Sequence, residues 1–198
     1  MKPGVRALGL AFSDGPSAST CAGAVVRRDR VVDGLRLSQC AVGGTDATET
    51  AVDVWEALGR EDVRHVLVAG VAPAWFNLLD LDALRAAAGR PVVAVSFEDS
   101  PGLADAIREA FDGEARARRL VRYRSLPPRR AVDAGGTTLH VRAAGVEDDR
   151  AAEIVRAHTP DSQGRPEPLR VARLAARAGR TYVDAVAGDD SVAGNDAD

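Results

Sequence analysis

Apolar residues follow two spacings along this chain, one typical of strands and the other typical of helices. Residues 66–68 form an uninterrupted apolar run inside the segment 64–70. Such a run is typical of a strand that is buried on both faces of a sheet. In the segment 46–58 the apolar residues recur every three or four positions, which predicts a helix with one buried stripe formed by Ala47, Ala51, Val54, Trp55 and Leu58.

The predicted elements follow one another in an order that favours a single α/β architecture. We predict strands at 5–11, 21–27, 31–40, 64–70, 91–97 and 137–144, and helices at 46–58, 79–88, 102–111, 147–157 and 168–186. Three meander strands followed by helix, strand, helix and strand is the order of the ribonuclease H-like fold, in which a mixed central sheet is flanked by helices. A Rossmann order would need a helix between the first two strands, and no segment there fits one.

Composition supports one domain and limits its surroundings. The chain has 198 residues, of which 45% are hydrophobic, and a net charge of −3. We expect a single domain over residues 1–187, followed by an acidic tail at 188–198 that is disordered. The chain contains neither an apolar run of membrane-spanning length nor the core of a signal peptide, so we expect a cytoplasmic protein.

The two cysteines do not form a metal-binding pair, because Cys21 and Cys40 are far apart in the sequence. If residues 28–30 form the hairpin turn, Cys21 faces Leu37. Cys40 is then three residues further along, a separation of about 10 Å at the rise of a strand, which is too long for a disulfide. We therefore predict two buried free thiols.

Carboxylates at the ends of the predicted strands are the candidate catalytic groups. Asp14 follows the first strand, Asp46 opens the first helix, and Glu98 follows the strand at 91–97. Carboxylates in such places hold the Mg²⁺ ions of ribonuclease H-like nucleases, where two ions clamp the attacking and leaving oxygens. Each also has a structural explanation: turn formation for Asp14, a capping box with Glu49 for Asp46, and a solvated strand end for Glu98.

An aromatic loop follows the strand at 64–70. Trp75, Phe76 and Asn77 lie where ligands bind in open α/β sheets, outside the carboxyl end of a strand, so we name them as candidate substrate-binding residues. Burial is the alternative for the two aromatic side chains, since leaving each exposed forgoes up to roughly 5 kcal/mol of hydrophobic stabilisation.

Arginine supplies nearly all of the positive charge, and four arginines share one face of the last predicted helix: Arg170, Arg173, Arg177 and Arg180. Such a stripe can follow a phosphate backbone, with Arg170 as a substrate-binding residue. Alternatively, the stripe packs on the acids of a neighbouring helix. Glu167, at the start of the same helix, is a candidate metal ligand or a charge that stabilises the helix amino end.

Several segments together resemble a known family. They lie at residues 4–9, 43–48, 65–70, 75–80, 90–95 and 166–172, and the most specific are Phe-Asn-x-x-Asp and Pro-Glu-Pro-Leu-Arg. The family is the archaeal domain of unknown function ninety-nine, which is related to endonuclease V and has members regarded as deoxyuridine endonucleases. The resemblance covers roughly residues 4–178 and is strongest to the branch from salt-loving archaea.

This resemblance implies a ribonuclease H-like fold and a cut, dependent on Mg²⁺ or Mn²⁺, in DNA beside a deaminated base such as deoxyuridine or deoxyinosine. Asp46 matches the family pattern. The chain departs from it at Ala11 and Phe12, where the family often has an acidic pair, and at Ala69, where endonuclease V has an aspartate. A lysine expected after the fifth strand is also absent, and Glu98 lies nearby.

Two hypotheses remain open at this point. The first is a metal-dependent DNA endonuclease in which Asp14, Asp46 and Glu98 are catalytic and Asp14, Asp46 and Glu167 hold the metal. The alternative is a non-catalytic nucleic-acid-binding protein of the same fold. A domain that binds a small molecule or a protein at the same sheet edge is a weaker third interpretation.

Overall fold

The computed structural model describes residues 2–161 and 163–193, with side chains described as far as Val186. Its strands form one seven-stranded sheet. In chain order they are β1 (Arg6–Asp14), β2 (Ala18–Arg27), β3 (Val32–Ala41), β4 (Val63–Ala69), β5 (Val92–Ser96), β6 (Arg130–Ala134) and β7 (Thr137–Ala144).

Helices follow and cover the strands. They are α1 (Ala47–Leu58), the short α2 (Pro73–Phe76), α3 (Leu81–Ala88), α4 (Ala104–Ala110), α5 (Gly113–Ser125), α6 (Asp148–His158) and α7 (Glu167–Ala193). Among the helices of the described part of the chain, none is both long and apolar enough to cross a membrane.

The sheet has the predicted ribonuclease H-like arrangement. Its strand order is β3-β2-β1-β4-β5-β7-β6. β1, β2 and β3 pair antiparallel, whereas β1, β4 and β5 run parallel at the centre. The carboxyl ends of the parallel strands therefore point to the same side of the sheet, where β4 ends at Ala69 and β5 at Ser96, and where β1 runs three residues past the level of Ala69 to Asp14. We call this side of the sheet the carboxyl edge.

The alternation of side chains along β1 divides the core into two layers. Leu8 and Leu10 point to the face covered by α1 and α3, whereas Ala7 and Ala11 point to the face covered by α6 and α7. At Gly9 a Cβ atom would overlap the backbone carbonyl of Pro168, so glycine allows the start of α7 to lie directly on β1.

Several predicted elements differ from the structure. β1 continues to Asp14, so Asp14 is the last residue of the strand and does not follow it. α5 was not predicted, because Arg119 is the one buried residue of that helix and no apolar stripe marks it. The last helix continues past the predicted end at residue 186 to Ala193. Residues 194–198 of the predicted tail lie outside the described residues.

Both cysteines are free and buried, as predicted. Their register is shifted, however: Cys21 faces Ser38 rather than Leu37, because the pairing of β2 with β3 slips by one residue between Val25 and Val26. Burial, followed by the effect of Cys40, raises the pKa of the Cys21 thiol, which keeps this thiol protonated and unreactive.

Candidate functional site

Asp14 lies at the carboxyl edge, in register with two residues of the neighbouring strands. It pairs with Ser19 of β2, and Ser19 pairs with Cys40 of β3. The Ser19 hydroxyl donates to Asp14 Oδ1 over 2.7 Å. Asp14 is exposed, whereas Ser19 and Cys40 are buried. The strand alternation that directs Leu8 and Leu10 toward α1 places Asp14 on that same face of the sheet.

Asp46 lies next to this group and is held by hydrogen bonds. Its Oδ2 accepts the backbone N–H of Ala41 over 3.0 Å, and its Oδ1 accepts Nδ2 of Asn77 over 2.6 Å. The capping box predicted for α1 is wrong, because the Asp46 side chain does not cap this helix. The N–H of Ala47 is capped by Oδ1 of Asn77 instead, over 2.9 Å.

Hydrogen bonding keeps Asp46 ionised. Burial by itself raises the pKa of this carboxyl group, but the hydrogen bonds from Ala41 and Asn77 outweigh burial and leave the pKa below its ordinary value. The carboxylate therefore stays charged at neutral pH.

Cys40 is close enough to both aspartates to feel their charge. Its pKa is raised to about 12, first by burial and then by the negative charges of Asp46 and Asp14. The thiol therefore stays protonated at neutral pH and is not a nucleophile. Two of the three predicted catalytic residues, Asp14 and Asp46, therefore both lie in the neighbourhood of Cys40 at the carboxyl edge.

Asn77 positions this group from within the protein. It is 0% exposed, so the prediction that it binds substrate is wrong. Besides capping Ala47 and binding Asp46, its amide donates to the carbonyl of Ala41 over 3.0 Å. One amide thereby fixes the end of β3 and the start of α1. No local sequence pattern marks this role, because the residues involved lie 30 or more positions apart.

Trp75 projects from a strained turn beside this group. Ala74, Trp75 and Phe76 all have positive φ, at 49°, 54° and 58°, and we call residues 74–76 the left-handed turn. Trp75 is 59% exposed, so the alternative that its side chain is buried is wrong. Gly43, which lies in the loop before Asp46, is next to the Trp75 indole. Phe76 does pack, with its ring edge-to-face on Phe111 at 5.8 Å.

Arg119 of α5 holds the left-handed turn in place. Its guanidinium is 6% exposed and donates to the carbonyls of Phe76 (3.2 Å), Gly44 (3.2 Å) and Gly43. It also lies 3.9 Å from the centre of the Phe111 ring. Burial, and then the charge of Arg118, lowers the pKa of Arg119. Sequence reasoning missed this residue because it lies in the helix that was not predicted.

A cavity of about 210 Å³ opens at the ends of β4 and β5. Glu98 lies at its rim, is exposed, and is separate from the two aspartates around Cys40. Arg129 donates to the carbonyls of Ser100 and Glu98, and Arg142 donates to the carbonyl of Pro127. The cavity is lined by Gly70, Val71, Ala72, Ser96, Glu98, Ser100, Gly102, Leu103, Tyr123, Arg129 and Arg142.

Glu167 lies elsewhere, so the predicted metal set is not assembled. It is 7% exposed and binds Arg170 through both carboxylate oxygens, at 2.6 and 2.7 Å. It begins α7, on the face of the sheet opposite Asp14 and Asp46. At the other end of the arginine stripe, Arg180 pairs with Asp184 of the same helix. The prediction that the stripe packs on acids of a neighbouring helix is therefore wrong for these two arginines.

The residues at the carboxyl edge do not fit a resident two-ion metal centre. Within residues 2–161 and 163–193, no three His, Cys, Asp or Glu side chains come together as a metal site. Asp14 and Asp46 are two hard oxygen donors, and one of them is already hydrogen-bonded by Ala41 and Asn77. β4 ends in Ala69 and β1 carries Ala11 and Phe12, none of which can bind a cation.

Comparison with known proteins identifies the family. The chain matches the family model described as endonuclease dU over residues 3–179. It is 34% identical over 171 residues to a UPF0215 protein of Pyrobaculum calidifontis, covering 83% of this chain and 90% of the relative.

Solved structures agree on the fold. A protein of unknown function from Archaeoglobus fulgidus superposes with a TM-score of 0.77 at 22% identity, covering 88% of this chain and 97% of that one. Endonuclease V of Ciona intestinalis, solved with a 24mer DNA containing an inosine followed by a ribo-adenosine, superposes with a TM-score of 0.59 at 12% identity. The match covers 90% of this chain and 87% of that one. The match to the family model extends over most of the described residues, and the chain belongs to the endonuclease dU family.

Proposed function

We propose that this protein binds DNA at a deaminated base, deoxyuridine or deoxyinosine, through the carboxyl edge of its sheet and without a metal centre of its own. The observation that carries the proposal is Trp75, an exposed indole held on a strained turn beside Asp46. The membership of an endonuclease family supports a nucleic acid as the ligand. The DNA-bound endonuclease V of Ciona intestinalis has a similar fold.

The left-handed turn is expensive to form, which argues for a role beyond folding. Each non-glycine residue in this conformation costs about 1–2 kcal/mol, and three stand in succession. Hydrogen bonds from Arg119 to the Phe76 carbonyl and from the Asn77 N–H to the Pro73 carbonyl keep the turn in this strained conformation. The result is that a large apolar ring faces solvent at the carboxyl edge. Stacking of one base on such a ring contributes about 1–3 kcal/mol to binding.

The cavity at the ends of β4 and β5 suits the base that leaves the duplex. At about 210 Å³ it is smaller than a typical drug-sized site and of the order of a single nucleobase. Hydroxyl groups of Ser96, Ser100 and Tyr123 line it. Each already takes part in a hydrogen bond within the protein, and each keeps the capacity for a further one with the polar edge of a base. A deaminated base pairs poorly, and this lowers the free energy needed to extrude it. In this proposal Trp75 stacks in the gap that the extruded base leaves.

Binding should survive removal of divalent metal and depend on Trp75. We expect the full chain to bind a duplex with one deoxyuridine more tightly than the undamaged duplex in EDTA, measured by fluorescence anisotropy. Trp75→Ala should weaken binding to the damaged duplex by about tenfold, because one stacked base is lost. Tyr182→Ala is the matched control, since Tyr182 is an aromatic residue that is 72% exposed on α7. Equal effects of the two substitutions would contradict the proposal.

The metal-dependent endonuclease is the alternative function, and it makes the opposite prediction. If Asp14 and Asp46 hold Mg²⁺ or Mn²⁺ together with the DNA, the wild-type chain nicks a deoxyuridine duplex when the ion is added, and Asp14→Asn abolishes nicking. Asp14 is exposed, so this variant should keep the wild-type melting temperature. We expect no metal-dependent nicking. Nicking that disappears in Asp14→Asn would replace our proposal with the endonuclease.

A further inference from the structure

A cleft lined by arginines lies along α7, on the face of the sheet opposite α1. We call it the arginine cleft. It has a volume of about 520 Å³ and is lined by Gln163, Arg165, Arg170, Arg173, Leu174 and Arg177. Leu174 is 55% exposed and adds an apolar surface to an otherwise positively charged cleft.

Three of these arginines have no acidic partner in the part of the chain that the structure describes. Arg165, Arg173 and Arg177 form no ion pair there, whereas Arg170 and Arg180 are paired with Glu167 and Asp184. The reason lies in the sequence, because no acid stands three or four positions from Arg173 or Arg177. Several exposed arginines of other helices do have such an acid, as in Arg108–Asp105, Arg118–Glu114 and Arg150–Glu153.

The three positive charges act on the same space. Burial, and then the charges of Arg173 and Arg177, lowers the pKa of Arg165. The guanidinium of Arg165 lies 3.9 Å from the centre of the Phe97 ring. Stacking on the ring fixes the guanidinium plane and leaves its N–H groups directed outward around its rim. Like charges held together in this way repel one another until an anion enters between them.

We infer that the arginine cleft binds backbone phosphates of a nucleic acid strand. The inference rests on the proposed DNA binding and adds a second contact surface to it. Phe97 directly follows Ser96, which lines the cavity at the carboxyl edge, so the cavity and the cleft adjoin the same end of β5. Arg173 and Arg177 are separated by about 6 Å along the helix axis, and they can therefore contact two phosphates of one strand.

The test is the double variant R173Q/R177Q, measured by anisotropy over a range of salt concentrations. Each phosphate contact contributes about 0.9 to the slope of log affinity against log salt, so the slope should flatten by about two units. At 0.1 M salt the same arithmetic gives an affinity about 60-fold lower. The double variant should lose the same factor in affinity for damaged and undamaged duplexes, because phosphates carry no sequence information. Glutamine retains most of the helix propensity of arginine, so α7 should persist.

R108Q/R118Q is the matched control. It removes the same formal charge from two exposed arginines that are paired within α4 and α5. We expect its salt slope to stay at the wild-type value. Two outcomes would overturn the assignment of phosphate binding to the cleft while leaving the proposed function intact. One is that the wild-type chain binds DNA and R173Q/R177Q shows the same salt slope. The other is that R108Q/R118Q loses as much affinity as R173Q/R177Q. Failure of the wild-type chain to bind DNA would defeat both.

Inorganic pyrophosphate distinguishes a strand from a small phosphorylated molecule. We expect pyrophosphate to raise the melting temperature of the wild-type chain and not that of R173Q/R177Q, because the cleft recognises phosphate oxygens. If pyrophosphate stabilises only the wild-type chain while DNA binding is equal in both proteins, the cleft takes a free phosphorylated molecule, and the assignment to a nucleic acid strand is wrong.

Discussion

Asn77→Ala is expected to lower the free energy of unfolding by about 4 kcal/mol, more than most single substitutions do. The Asn77 amide is 0% exposed and makes hydrogen bonds to Ala47, Ala41 and Asp46. Its removal leaves a helix N–H, a strand carbonyl and a carboxylate without this partner. A buried polar group without a partner costs about 1–3 kcal/mol, and the void left by the side chain adds to the loss.

Urea denaturation measures this effect, and Asn77→Asp provides the control for charge. Aspartate keeps the acceptor for Ala47 but sets a second carboxylate where Asn77 Nδ2 lies 2.6 Å from Asp46. This variant should therefore be unstable at pH 7 and recover part of its stability near pH 4, where one carboxyl takes up a proton. A loss below about 1 kcal/mol in Asn77→Ala would mean that water replaces the amide, contrary to the role described here.

Acidification is expected to destabilise the protein through a buried histidine pair. His65 and His158 are 7% and 3% exposed, and their rings lie 6.1 Å apart. Within the described residues, neither ring nitrogen of His158 has a hydrogen-bond partner, and Nδ1 of His65 also lacks one. Burial lowers the pKa of both side chains to about 4, with a further contribution from nearby positive charge.

The sign of the pH dependence follows from proton binding. Below pH 6.5 the histidines of the unfolded chain take up protons, whereas the folded protein keeps both rings neutral until about pH 4. The contribution of the two neutral histidines to the free energy of unfolding is therefore fully present above pH 6.5. It is lost as the pH falls from 6.5 to 4, and below pH 4 it changes little. A shift from 6.5 to 4 corresponds to at most about 3 kcal/mol for each histidine.

The variant His158→Leu isolates this effect. Leucine fills a similar volume without an unpaired polar atom, so we expect stability at pH 7 to be nearly unchanged. We expect the fall between pH 6.5 and pH 4 to shrink by about 3 kcal/mol relative to the wild-type chain, measured by urea denaturation at a series of pH values. An identical pH dependence in the two proteins would show that His158 does not titrate in this way.

Much of the fold was predictable because its signals are local. The apolar run of β4 and the helical stripe of α1 depend on near neighbours in the sequence, and the order of elements then leaves few topologies. Local signals also placed Asp14 and Asp46 near strand ends and helix starts at one edge of the sheet. α5 escaped prediction because its arginines, Arg119 included, hide its buried side from a hydrophobic pattern.

The sequence by itself determined the ribonuclease H-like order of strands and helices, the buried free thiols, and two carboxylates at the carboxyl edge. The tertiary structure decided what those residues do. Asn77 lies inside the protein because its amide makes hydrogen bonds with the start of α1 and the end of β3. Trp75 faces solvent because Arg119, from a distant helix, holds the turn in a conformation that local preference opposes. Contacts between residues 30 or more positions apart leave no period in the sequence, and so they become visible only once the chain has folded.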